Sequence, residues 1–240
     1  MKLASWIDSR FYPNHRKNWD DDHFRELILQ EISSDISVLD LGAGAGIVAQ
    51  MNFRGLAKHV CGVDPDPRVA QNPYLDDGRV GYGESIPWPD NTFDLIFSDN
   101  VLEHLTEPEK VFTEVCRVLK PGGIFLAKTP NKWHYVPLIA RLTPLWFHKK
   151  VVSWRGRKGE DVFPTQYRAN TARDISRHAR TAGLKLDKIS YIDGRPEYLR
   201  FSFITYLVGL IYERLVSNIS FLRFFRVVLV ARIVKPAPTE

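Results

Sequence analysis

A single α/β domain wound from strand–turn–helix units is the fold class this sequence predicts, and three stretches predict it. The first, VLDLGAGAG at residues 38–46, runs apolar into Asp40 and then sets glycine at every second position, the pattern of a buried strand turning sharply into a helix. The second, HVCGVDPDP at residues 59–67, is another short apolar run. It closes on Asp64, 18 residues beyond Gly46, and so completes a strand–helix–strand unit. The third is a pair of apolar runs at 94–98 and 124–129, separated by a helical pattern.

Composition agrees with that class. The 240 residues are 44% hydrophobic and 25% charged, enough for one large core with insertions and without a second domain. Cys61 lies in an apolar strand run and Cys116 in a helical pattern, so both read as buried, reduced thiols; no Cys/His spacing suggests a metal. The expected location is cytoplasmic. The first residues hold no apolar run of signal-peptide length, and the uncharged run at 201–212 is too short to cross a bilayer.

In order, residues 1–35 open with an irregular aromatic segment, Trp6, Phe11, Tyr12 and Trp19, suited to a lid or to packing under a loop. A helix over 20–33 follows, with Asp20, Asp21 and Asp22 at its N-terminal end and Phe24, Leu27, Ile28 and Ile32 on one face. The segment 36–129 then predicts a strand at 36–41, a helix at about 45–53, a strand at 59–63, a short helix after Pro67 and a third strand near 79–82. Pro87 and Pro89 hold the next loop out of regular structure before the strand at 94–98. A helix starts near Pro108, with Val111, Phe112, Val115, Val118 and Leu119 at helical spacing. Pro121, Gly122 and Gly123 stop it and start the strand at 124–129.

Beyond lies an aromatic and basic insertion over 130–168, then a helix at 171–182 with Thr171 as N-cap and Gly183 as stop. The remainder to 234 predicts a strand at 184–192, an apolar helical insertion at 197–217 and a closing strand at 224–234. The helical insertion carries too many apolar residues for a lone surface helix. It is expected to cap the substrate pocket, form a homodimer or lie on a membrane, in that order.

The glycine turn has the chemistry of a cofactor seat. Glycines remove the Cβ atoms that would hold a ligand off the backbone and permit φ > 0. An acidic residue closing the second strand, Asp64, is placed to accept hydrogen bonds from ribose hydroxyls. Glu84 and Ser85, at the end of the third strand, can reach an adenine amine. An adenosine-containing ligand is therefore expected, and the glycines alone leave a methyl-donating cofactor and NAD both open.

Four blocks separate these, VLDLGAGAG, GVDPDP, GESIPWPDNTFDLIFSDNVLEHL and VLKPGGIFLAKTPN, in order over about residues 40–131. With them the sequence resembles the class I S-adenosylmethionine-dependent methyltransferases, in particular the broad small-molecule group. The resemblance implies a Rossmann-like, seven-stranded, mostly parallel sheet with helices on both faces and the last strand antiparallel. It implies S-adenosyl-L-methionine as cofactor, with Gly42, Ala43, Gly44 and Gly46 against its methionine part, Asp64 on the ribose and Pro65 against the adenine. Glu84, Ser85 and Ile86 match positions flanking the adenine ring, Ser98 and Asp99 match the floor between cofactor and substrate, and Asp40 orders the turn. An NAD-type oxidoreductase and a non-catalytic membrane or partner adaptor are the other readings.

Charge points to the acceptor. Residues 1–140 hold 14 Lys and Arg against 20 Asp and Glu, whereas residues 141–240 hold 19 against 8. A cationic half attracts an anionic partner. Its basic residues are interleaved with apolar ones rather than gathered in a polar stripe, so nucleic acid is not expected. Lys149, Lys150, Arg155, Arg157 and Lys158 could grip phosphate, and Trp146, Phe147 and Trp154 could stack on sugars or dip into a membrane interface. The expectation is O-methylation of a small-molecule, glycan or lipid-linked acceptor, with a quinone-type acceptor as the alternative and peripheral membrane contact left open. His134, His104 and Tyr135, just after the fourth and fifth strands, are the candidate catalytic groups for an acceptor hydroxyl.

Overall fold

Seven strands among the described residues, β1 (Ser37–Leu41), β2 (His59–Asp64), β3 (Asp77–Val80), β4 (Phe93–Asp99), β5 (Leu119–Pro130), β6 (Lys185–Ile192) and β7 (Val228–Val234), form one sheet in the order β3-β2-β1-β4-β5-β7-β6. This computed structural model describes residues 2–13, 19–142, 164–200 and 202–237. The pairs from β3 to β5 are parallel, and β7 is antiparallel to both of its neighbours, as the resemblance implied. Helices α1 (Lys2–Phe11), α2 (Trp19–Leu29), α3 (Pro108–Val118), α4 (Tyr135–Leu142), α5 (Ala172–Thr181) and α6 (Phe203–Asn218) complete the fold.

Alternation along the strands divides the core. Val38, Leu95 and Phe97 pack with Phe24 and Ile28 of α2, while Leu39, Leu41 and Ile96 pack with Val111 and Phe112 of α3 and Ile175 of α5. The glycine turn therefore leaves the middle of the sheet, where β1 is flanked by β2 and β4. There the order reverses direction, the crevice at which open α/β sheets bind ligands.

Four local expectations are corrected. The opening segment is helical, because Ile7 is buried against Tyr206 and Leu210 and Asp8 is met by Arg195, Arg200 and the Tyr206 hydroxyl, partners nearly 200 residues away. No α-helix follows the glycine turn, only a 3-10 turn at Ala49–Met51. Arg25 of α2 donates to the carbonyls of Gln50 and Asn52 and lies 4.7 Å from the Phe53 ring centroid, satisfying acceptors that helical N–H groups would otherwise take. Lys120 to Gly123 do not precede β5 but bulge out of it, with Phe93 opposite Leu119 and Leu95 opposite Ile124. Finally, the apolar insertion is a 3-10 turn at Glu197–Leu199 and then α6, started by a capping box at Ser202 and Thr205; a second 3-10 turn, Ser220–Phe225, replaces the first residues of the closing strand.

Candidate active site

The turn after β1 is held from three sides. Gly42 and Ala43 donate to the Val63 carbonyl at 2.8 and 3.3 Å, which ties the turn to the end of β2. Asp64 accepts from the Gly44 N–H at 2.9 Å through one carboxylate oxygen and from the Asp66 N–H at 2.8 Å through the other. Asn72 donates to the carbonyls of Ala43 and Gly44, at 3.0 and 3.2 Å. Asn72 was not legible as a site residue; nothing in its local sequence marks it, yet a Cβ on Gly46 would stand 2.3 Å from its Oδ1.

Gly42 has φ +88°, and a Cβ there would lie 2.3 Å from Val101 Cγ2. Gly44 has φ +51°, with Asp64 Oδ2 at 4.0 Å as the nearest atom to such a Cβ. Gly42→Ala should therefore destabilise the fold by about 1–3 kcal/mol, from left-handed strain plus the collision. Gly44→Ala should cost less, about 1 kcal/mol, from strain alone. Urea unfolding of both variants checks this; equal losses would show that contact with Val101 does not decide the difference.

Beside the turn is a cavity of about 230 Å³ whose lining includes Gly42, Pro65, Glu84, Val101, His104 and Thr106. It joins Gly42, Pro65 and Glu84 from three separate loops. Ser85 is exposed, with its N–H bonded to the Tyr82 carbonyl. Ile86, expected to flank the adenine, is instead turned into the core, its backbone held by Glu114 and Arg117, and does not line the cavity. Ser98 is fully buried at the end of β4, and its hydroxyl has no hydrogen-bond partner among the described residues.

Around Asp99 the charges are concentrated. Lys128 of β5, fully buried, reaches Asp99 at 2.8 Å, Asp20 at 3.0 Å and Asp21, with its ammonium 5.7 Å from the Phe24 ring centroid. Burial outweighs the pull of Lys128 and pushes the Asp99 carboxyl up to about 7. Asp40 is raised well above the ordinary carboxylate range, first by burial and then by the nearby charges of Asp99 and Asp64. The N-terminal acidic turn of α2 is thus bound to Lys128 of β5, which also holds Asp99 of β4.

The three candidate catalytic groups are divided between two places. His104 lines the cavity, with Nδ1 3.1 Å from the Pro164 carbonyl and Nε2 3.9 Å from Glu103. Glu103, held by the Thr129 hydroxyl at 3.1 Å, is pushed up to about 7 by burial. His134 and Tyr135 instead pack against α6, ring centroids 5.7 and 5.0 Å from Tyr212. His134 is buried; its Nε2 lies 3.5 Å from Glu213, and its Nδ1 accepts from the Val136 N–H at 3.4 Å. Burial and the charge of Glu213 raise the Tyr135 hydroxyl.

A second cleft, of about 570 Å³, meets the first at Thr106, which lines both. Lys110, Lys132, Arg168 and Arg177 line it, along with Glu107, Glu109 and Asp174. Lys110 is paired with Glu107 at 2.8 Å and Arg177 with Asp174 at 3.4 Å, while Arg168 donates to the Thr106 carbonyl at 2.7 Å. Tyr167, also on its wall, has φ +52°, unusual for a residue with a side chain, and its N–H bonds the Glu103 carbonyl. The cationic groups expected at 149–158, and Trp146, Phe147 and Trp154, lie outside the described residues.

Residues 39–127 match the family model of a methyltransferase domain. Over 113 residues the chain is 36% identical to a probable S-adenosylmethionine-dependent methyltransferase of Mycolicibacterium smegmatis, a match covering 45% of this chain and 42% of that protein. The chain thus matches less than half the length of that curated relative. Among solved structures, the YcgJ protein of Bacillus subtilis superposes with a TM-score of 0.58 at 19% identity, covering 90% of this chain and 99% of that one. Geranyl diphosphate C-methyltransferase of Streptomyces coelicolor A3(2), solved with Mg2+, geranyl-S-thiolodiphosphate and S-adenosyl-L-homocysteine, gives 0.55 at 17% identity over 90% of this chain and 75% of its own. At those identities the likeness is one of fold.

Proposed function

Because residues 39–127 form a methyltransferase domain of the class I S-adenosylmethionine-dependent type, we propose that this protein methylates a hydroxyl on an anionic small-molecule, glycan or lipid-linked acceptor held in the second cleft. The observation that carries the reading is the junction at Thr106, where a cavity of about 230 Å³ adjoins a larger cleft lined by Lys132 and Arg168 beside the paired Lys110 and Arg177.

The residues fit the cofactor. Gly42 lines the cavity without a side chain, Asp64 closes β2 beside the glycine turn where ribose hydroxyls would donate, and the buried Ser98 hydroxyl near the end of β4 has no partner among the described residues. S-adenosylmethionine, when bound, supplies a methyl group already activated on a sulfonium. The protein's work is then alignment, which in well-oriented reactions accounts for roughly 7–11 kcal/mol of the barrier. Lys132 and Arg168 orient the acceptor through its anionic group.

Proton removal falls to His104 rather than His134. With Nδ1–H donating to the Pro164 carbonyl, the neutral ring of His104, which lines the cavity, carries its lone pair on Nε2, 3.9 Å from Glu103. His134 is buried away from the cavity and acts on the packing of α4 against α6.

The test uses methyl-labelled cofactor with pooled glycan and lipid extracts. The expected product carries the label as a methyl ether on an anionic molecule. His104→Asn should lower transfer by about 10²- to 10⁴-fold with cofactor affinity unchanged, while His134→Asn changes stability more than transfer. Calorimetric binding of NAD instead of S-adenosylmethionine, or label recovered on carbon, would overturn the reading.

A further inference from the structure

Helix α6 turns its more apolar side outward. Phe203, Ile204, Leu207, Val208, Ile211 and Leu215 are all exposed, Ile204 by 73% and Val208 by 57%, and they cover one arc of the helix. The opposite arc carries Tyr206, Leu210 and Val216 into the protein, packed with Ile7 and against the following turn, along with Gly209 against Pro196. The apolar surface continues through Ile219 and Phe221, the latter 78% exposed. A helix apolar on its solvent side has a partner that covers it.

Charge identifies that partner. The acid of α6, Glu213, is buried on the inner arc beside His134, so the outward arc carries no carboxylate. Its charged group is Arg214, whose guanidinium lies 5.8 Å from the ring centroid of exposed Phe11; Arg223 follows beside Phe224. In a two-fold dimer the same face meets its own copy, which brings no carboxylate to these arginines. An anionic lipid surface complements it, taking the apolar arc among its acyl chains and the arginines among its headgroups. With 16 residues, α6 is about 24 Å long, shorter than a hydrocarbon core of about 30 Å, so it would lie in the interface plane. No described helix is long and apolar enough to cross a membrane.

We propose that the outward face of α6, continued by the turn at Ser220–Phe225, docks the protein on an anionic bilayer surface. The docking face is independent of which acceptor is methylated. It nevertheless places Glu213, and through it α4, on the inner side of the same helix.

The experiment is flotation of the full chain with vesicles of phosphatidylcholine containing phosphatidylglycerol, against phosphatidylcholine alone. The chain should float with the anionic vesicles and several-fold less with the neutral ones, an effect weakened by salt. Replacing Ile204 and Ile211 together by serine should lower retention on anionic vesicles by about tenfold or more, with helix content and S-adenosylmethionine affinity unchanged. Equal retention on both vesicles, no retention on either, or retention untouched by the double substitution would overturn the proposal. So would a dimer in sedimentation equilibrium that the same substitutions convert to monomer, since that result would give the face to a second copy.

Discussion

Lys128→Met should cost the fold about 3 kcal/mol, the lower part of the range for removing one partner of a buried charge cluster. The lysine is fully buried and faces Asp99, Asp20 and Asp21; without it, three carboxylates share one site. The loss stays at the lower end because Asp20 and Asp21 keep some exposure and can be rehydrated. The pH dependence separates this cause from lost packing. In the wild type Asp99 is raised from 3.8 to about 7, so the folded state binds the extra proton and stability falls as pH rises through that window. Removing the lysine lifts the carboxyl further and extends the decline upward. Urea unfolding should therefore show a smaller deficit at about pH 5 than at about pH 8. Asp99→Asn, which removes an acid while leaving Lys128 two partners, should be mild. A Lys128→Met deficit equal at both pH values would place the cause in packing rather than charge.

Asp64→Ala should weaken S-adenosylmethionine binding by about 10- to 100-fold, equivalent to about 1.5–3 kcal/mol for lost hydrogen bonds to a charged group. Two losses combine. The carboxylate no longer meets the ribose hydroxyls, and the N–H groups of Gly44 and Asp66, which it now accepts at 2.9 and 2.8 Å, are released. Asp64→Asn retains an acceptor for one of them and should fall between wild type and alanine. Titration calorimetry measures all three. An alanine variant with unchanged affinity would remove Asp64 from the cofactor site and leave it as a loop-ordering residue.

The sequence by itself determined what depends on backbone and near neighbours. Gly42, Gly44 and Gly46 were legible because each requires positive φ, and Asp64 because a strand end 18 residues beyond Gly46 is short-range geometry. The same holds for the Thr171 cap, which accepts from Asp174 three residues on. Tertiary structure decided what depends on which distant groups meet. Lys128 finds Asp20 and Asp21 more than 100 residues away, Arg25 takes over the carbonyls of an expected helix, and Ile7 and Asp8 make a helix of the opening segment by meeting residues 195–210. It also divided the two histidines, His104 to the cavity and His134 to Glu213, and it turned the apolar arc of α6 outward. Local pattern specifies how the chain can bend and which faces are apolar. Only the packed fold chooses which of those faces are covered, because that choice rests on contacts whose sequence separation carries no periodic signal.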